Sequence, residues 1–278
     1  MKSLLNFFLL ALLIGSIFGC KKQSELLNDS QENRTKIAIT TNYGSMIVEL
    51  YNETPLHRDN MINLVNNNAY DSLLFHRIIH EFMIQGGDPD SRNAQPKVSL
   101  GDGDAPYLID AEFNAKLFHK KGALAAARGD NPERASSGMQ FYIVQGEKLN
   151  DSLLKLSEVN INRNVAREFF RNHNRKKSLR DSIDKASKQD KMNRYNKLMD
   201  SILYLANTEE KFKLYKIPKE QREIYKSIGG APYLDQNYTV FGEVVKGIEV
   251  LDTIASVKTN AEDRPISDVI ILKIKLLN

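Results

Sequence analysis

FHRIIHEFMIQGGD, residues 75–88, is the stretch from which the architecture of this chain can be worked out. Side chains alternate across short strands, so Phe75, Arg77 and Ile79 are expected on one face and His76 and Ile78 on the other. One arginine therefore falls among apolar neighbours. A half-buried guanidinium must place five N–H donors, so Arg77 is either held in a structural ion pair or left to meet a ligand carbonyl. Phe82, Met83 and Gln85 follow within a few positions, and Gly86-Gly87-Asp88 permits a tight turn that residues carrying a Cβ would resist.

Three more segments work with this one: GALAAAR at 122–128, GMQFYIVQ at 138–145 and YLDQNYTVFGEV at 233–244. Taken with residues 75–88 they resemble the active-site strands of the cyclophilins. The resemblance implies a mainly β fold with helices, a closed eight-stranded β-barrel capped by two helices, and a reaction: cis/trans isomerisation of peptide bonds preceding proline. Carried over position by position, it makes Arg77 the catalytic arginine. Phe82, Met83, Tyr142 and Leu234 would form the proline pocket. Gln85, Ala127, Arg128 and Gln140 would form the groove for the flanking peptide, with Tyr233 and Tyr238 closing the site.

The segments also depart from the familiar eukaryotic pattern. Arg128 stands where asparagine is common, Tyr142 where a second phenylalanine is common, Tyr233 where tryptophan is common, and Tyr238 in place of a histidine. These substitutions resemble the bacterial branch of the family. The implied reaction needs no metal and no organic cofactor. His57, His76, His80, His119 and His173 show no metal-ligand spacing and read as surface or structural residues.

Local patterns supply the rest of the barrel. Residues 35–41 and 45–51 are β-rich runs around Asn42-Tyr43-Gly44, a hairpin. Pro55 opens a helix whose Met61, Leu64 and Val65 recur at helical spacing. Asp88 to Pro106 is a Gly- and Asp-rich loop, and Asp102 and Asp104 in it lack the distal glutamate of a calcium loop, so a solvated turn is expected. A strand at 239–245, a short helix near 248–255 and a strand at 269–276 complete the pattern.

Between Gly146 and Gly229 lie about 80 residues with no glycine and a single proline, Pro218, a helix-forming composition. Val165 and Phe169, Leu179 and Ile183, and Tyr195, Leu198, Met199, Ile202 and Leu205 recur at helical intervals, which predicts at least three helices. Residues 147–229 are read as a helical insertion, available to an unknown protein partner. This stretch holds about 20 Lys plus Arg against about 12 acidic residues. A solvated helical face is the preferred reading of that excess over a binding surface for acidic partners or lipid head groups, and no aromatic-basic interleaving suggests nucleic-acid binding.

At the other end, Lys2 precedes an apolar run from Leu4 to Phe18 that closes on Ile17-Phe18-Gly19-Cys20. The run is short for a membrane span, and a small residue before cysteine fits cleavage and lipid attachment at Cys20. Residues 1–19 thus read as a lipoprotein signal peptide, 20–34 as a tether, and 35–146 with 230–278 as the barrel. With one cysteine no disulfide can form within the chain, and a net charge of +4 argues for neither a nucleic acid nor a charged membrane face. The expectation is an isomerase lipid-anchored in the bacterial cell envelope, facing the periplasm and acting on proline-containing exported clients. The alternative is a proline-segment-binding chaperone or scaffold with weak or no turnover.

Overall fold

The computed structural model describes residues 34–277 apart from Lys97 and Asp190. Strands β1 (Lys36–Thr41) and β2 (Gly44–Leu50) form the predicted hairpin, with Thr41 opposite Gly44 across a two-residue turn. Helix α1 (Pro55–Asn66) begins at its proline, where a missing N–H costs nothing, and buries His57, Met61, Leu64 and Val65. Strand β3 (Leu73–Leu74) leads into the decisive segment, which is carried by β4 (Arg77–Ile79) and β5 (Met83–Gly86). They are followed by β6 (Leu108–Ile109), β7 (Ala123–Ala126), β8 (Ser136–Ser137) and β9 (Phe141–Val144). Four helices come next: α2 (Asp151–Asn172), α3 (Lys177–Lys188), α4 (Met192–Asn207) and α5 (Lys219–Ser227). The chain ends with β10 (Val240–Lys246), α6 (Ile248–Ala255) and β11 (Ile270–Leu277).

Nine strands form one curled sheet in the order β3-β11-β1-β2-β10-β7-β9-β5-β4, and β6 pairs with β8 apart from it. The expectation was eight strands in a closed ring. Instead β3 and β4 are the two edges, and the chain itself crosses between them through Phe75 and His76. The backbone there is engaged by the C-terminal segment: Phe75 N–H donates to Val269 and Ile78 N–H to Asp263. The bend also breaks the predicted alternation. Phe75 joins Ile78 in the main core, leaving Arg77 and Ile79 on the other face, because residues 75 and 76 belong to no strand.

Alternation elsewhere sorts side chains cleanly between two apolar layers. Leu124, Ala126, Phe141, Ile143 and Ile84 point into the core enclosed by the sheet, with Met61, Leu64, Leu251 and Ile254 of α1 and α6 packed against it. Met83, Ala123, Ala125, Tyr142 and Val144, their sequence neighbours, form a second cluster on the outer face. Because both faces of β7 and β9 are covered, these strands are continuous apolar runs.

Helices α2–α5 lie between β9 and β10 and divide into two packing groups. Leu154, Ile161, Ile217 and Tyr225 of α2, α5 and the segment between α4 and α5 pack with Phe118 before β7 and Leu149 after β9. Ala166, Phe170, Ile183, Met199, Ile202 and Ala206 make a separate core among α2, α3 and α4. The segment departs and returns at one place. Gly230 N–H donates to the Glu147 carbonyl, Gly230 bridges to both Lys120 and Glu147, and a Cβ on Gly146 would strike the Gly230 backbone.

Candidate active site

The outer face of β5, β7 and β9 faces a cavity of about 370 Å³. Arg77, Phe82, Met83, Gln85, Ala127, Arg128, Tyr142, Leu234 and Tyr238 line it together. Those residues come from four separated segments, and strand register brings them into one place: Arg77 lies opposite Gln85, Gln85 opposite Tyr142, and Tyr142 opposite Ala125. Leu234 arrives on a short 3-10 turn, Pro232–Leu234, directly after the helices.

Arg77 is 41% exposed along its side chain, and its Nη2 lies 3.3 Å from Asp263 Oδ2. Among the described residues that carboxylate is its one polar partner, so most of its donors have no protein acceptor, and the side chain lines the cavity. The apolar wall is Phe82, Met83, Tyr142 and Leu234, with the Tyr233 ring 5.8 Å from that of Phe82 at the rim. Tyr233 lines the adjacent cavity and is 40% exposed. Arg128 is fixed by Asn237, donating from Nε to its carbonyl at 3.1 Å and from Nη2 to its Oδ1 at 3.0 Å, with the guanidinium 4.8 Å above the Tyr238 ring.

Gln140, placed by the sequence in the peptide groove, is buried behind it. Its Nε2 donates to the Gly101 and Gly103 carbonyls at 2.8 and 2.7 Å, and its Oε1 accepts from Gln85 Nε2 at 2.9 Å. It therefore holds Gln85 in position and pins the 88–106 loop to the sheet. Asp102 is exposed, as expected of a solvated turn, but Asp88 and Asp104 in the same loop are tied to the protein. Asp88 accepts from the Asp90 and Gly101 N–H groups, and Asp104 accepts from Ser137 Oγ and the Met139 N–H. Gly87 makes the close approach possible, with φ 94° and a position where a Cβ would strike the Met139 carbonyl. Cys20 lies outside the described residues.

Beneath the pocket runs a buried chain of hydrogen bonds that sequence patterns alone do not reveal. Asp235 accepts from the His119 N–H at 3.0 Å, from His119 Nδ1 at 2.8 Å and from the Tyr225 hydroxyl at 2.8 Å. With Nδ1 donating, the other ring nitrogen is an acceptor, and the Tyr142 hydroxyl donates to it across 3.0 Å. The Tyr142 and His119 rings stack 11° from parallel. Burial first, then nearby Tyr238 and Asp235, raises the Tyr142 hydroxyl well above its ordinary range, so it stays a donor. One wall of the pocket is thereby tied to Tyr225 of α5.

His76, read from the sequence as a surface or structural residue, also lines the cavity. It is 3% exposed, and neither ring nitrogen makes a well-formed hydrogen bond among the described residues. Burial pushes its pKa down to about 4, with Arg77 and Arg264 acting in the same direction and Asp88 opposing. The unfolded chain, with histidine near ~6.5, takes up this proton first as pH falls. Stability tied to the neutral ring is complete above pH ~6.5 and is lost progressively toward pH ~4, on the order of 3 kcal/mol across that window. Burial also lowers His57, against the opposing effect of Glu112, and so adds to acid sensitivity in the same direction. Thermal unfolding at pH 7 and pH 5 tests the assignment: the wild type should lose more stability over that interval than His76→Gln, and equal losses would remove His76 from the account.

The family model for cyclophilin-type peptidyl-prolyl cis-trans isomerases matches residues 36–276. The chain belongs to that family. A Staphylococcus haemolyticus protein named "Putative peptidyl-prolyl cis-trans isomerase" is 28% identical over 248 residues, covering 89% of this chain and 93% of its own length. A Staphylococcus epidermidis protein of the same name is 27% identical over 248 residues, covering 89% and 94%. Among solved structures, a cyclophilin-type isomerase of Cryptosporidium parvum overlays with a TM-score of 0.51 at 19% identity, covering 88% of this chain and 98% of that one, a likeness of fold.

Proposed function

We propose that this chain is a lipid-anchored isomerase of the bacterial cell envelope, facing the periplasm, that turns over X-Pro bonds in exported proteins and so assists their folding. One arrangement carries the catalytic part of that reading: the Arg77 guanidinium, with a single partner among the described residues, opens onto an apolar pocket bounded by Phe82, Met83, Tyr142 and Leu234. The barrier to rotation, ~18–20 kcal/mol, arises from partial double-bond character in the C–N bond, so no nucleophile is needed. As the amide twists, the prolyl nitrogen becomes pyramidal and gains a lone pair. A guanidinium donor then binds it more strongly than in the planar ground state, which is the condition for rate acceleration. The apolar wall holds the ring while Gln85 offers its amide to the preceding peptide group.

In the same reading the curled sheet is the family barrel, with the chain at Phe75-His76 bridging its seam, and residues 147–229 are an insertion in the β9–β10 connection. Exchange NMR or a protease-coupled assay on a proline tetrapeptide tests the activity. Binding of the peptide without accelerated exchange would favour the chaperone alternative.

The anchor makes its own prediction. Cys20→Ser should move the protein from the washed membrane fraction to the soluble one with its specific activity unchanged. Retention of the mutant in membranes would show that something other than a lipid on Cys20 holds it there.

A further inference from the structure

A second cavity, of about 320 Å³, lies where α2 and α4 meet the rim of the first. Leu234 and Tyr238 line both, so the two are neighbouring compartments separated by shared side chains. What distinguishes the second is its amides. Asn160 and Asn164 come from α2, Asn196 from α4, and Asn237 from the segment that also clamps Arg128. Asn160 accepts from Arg163, and Arg163 is itself paired with Asp200, which offsets the one charge in the lining. Asn164 and Asn196 are half-buried, and their side-chain amides make no hydrogen bond to the protein among the described residues.

We infer that this cavity is an extended subsite that binds the main chain of a polypeptide client next to its proline, using Asn164 and Asn196 as paired donor and acceptor groups. An asparagine amide presents one acceptor and two donors, which matches a peptide group whatever side chain it carries. A compensated arginine gives an anionic ligand little to bind, and amides along both helices suit an extended backbone better than the apolar face of a helix. The shared wall of Leu234 and Tyr238 sets the occupant: a chain whose proline fills the first cavity has the second beside it. The inference rests on the isomerase reading, and it gives the helices between β9 and β10 a part in choosing substrates of extended, unfolded character.

The test compares kcat/KM of the full-length protein on a proline tetrapeptide with that on the same peptide lengthened by about four residues at one end or the other. Two added hydrogen bonds correspond to a gain of about tenfold for the longer peptide on one side, expressed mainly in KM. Asn164→Trp and Asn196→Trp, on different helices, should each cut that gain to less than about twofold, with the tetrapeptide rate of each variant as its own reference. No gain on lengthening in the wild type, or a gain that survives in both variants when their circular dichroism matches wild type, overturns the subsite. Failure of the wild type to turn over the tetrapeptide overturns the isomerase reading instead. Fluorescence anisotropy with the same peptides and variants then decides the subsite, by the presence or absence of the length-dependent gain in affinity.

Discussion

Arg77→Ala should lower kcat/KM on a proline peptide by at least about tenfold, equivalent to about 1.4 kcal/mol of transition-state stabilisation, in a protein that remains folded. The two halves of that result have separate causes. Arg77 is 41% exposed, and its partner Asp263 is 39% exposed, so the ion pair belongs to the class that contributes only ~0–1 kcal/mol to stability. The fold gains little from this guanidinium. In the proposed mechanism its remaining donors serve the prolyl nitrogen, whose developing lone pair strengthens a hydrogen bond only as the amide twists. Arg77→Lys should also be poor, because a compact ammonium cannot keep Asp263 on one side and reach a prolyl nitrogen on the other with a planar fork. Turnover equal to wild type in the alanine variant would sink the arginine mechanism. A large loss of secondary structure would show instead that the pair with Asp263 is structural.

The second large effect is on stability. Asp235 is 2% exposed and satisfies three donors from two residues, His119 and Tyr225. Asp235→Ala leaves those donors buried without an acceptor and frees the His119 ring that positions Tyr142. Three neutral donors left without an acceptor, at roughly 1–3 kcal/mol each and offset in part because a buried carboxylate is removed with them, cost on the order of 3–5 kcal/mol, which for a protein of this size corresponds to a fall in Tm of roughly 6–20 °C. Tyr225→Phe removes one hydrogen bond of the three and should cost about 1 to 2 kcal/mol. Calorimetry or thermal unfolding followed by circular dichroism measures both. A loss below about 1 kcal/mol in Asp235→Ala would mean that water replaces the carboxylate and that the network is not sealed.

The sequence carried the strands of the pocket because their signal is local: alternating apolar residues, a glycine pair and a helix-opening proline each state their own conformation. The resemblance over residues 75–88, 122–128, 138–145 and 233–244 named nine of the side chains that line the first cavity. What escaped depended on partners far along the chain. Nothing near Arg77 announces Asp263, and His119 lies 116 positions from Asp235. Gln140 sits where alternation and resemblance suggest, yet its amide is consumed by the Gly101 and Gly103 carbonyls of a loop that composition alone marks as solvated. Phe75 left its expected face because the chain bends between two strands, and a bend set by Val269 and Asp263 has no signature in the residues that bend. The helices were legible as helices. Their division into one group packed beside the ends of β7 and β9 and another with its own core depends on which apolar stripe meets which neighbour.

The order of strands in the sheet also sets a timetable for the nascent chain. β1, the first strand, pairs with β11, the last, and β10 separates β2 from β7. Until the chain beyond α5 has emerged, the β1–β2 hairpin has both outer edges unpaired, the condition under which strands find wrong partners. The long helical excursion adds little to the closure entropy, since loop entropy grows only logarithmically with length and its two ends meet at Glu147 and Gly230. Delay is its main effect. Leu234 and Tyr238 follow the helices in the chain, so a polypeptide that has emerged only as far as α5 lacks one wall of the pocket, and the site closes with the last strands of the fold.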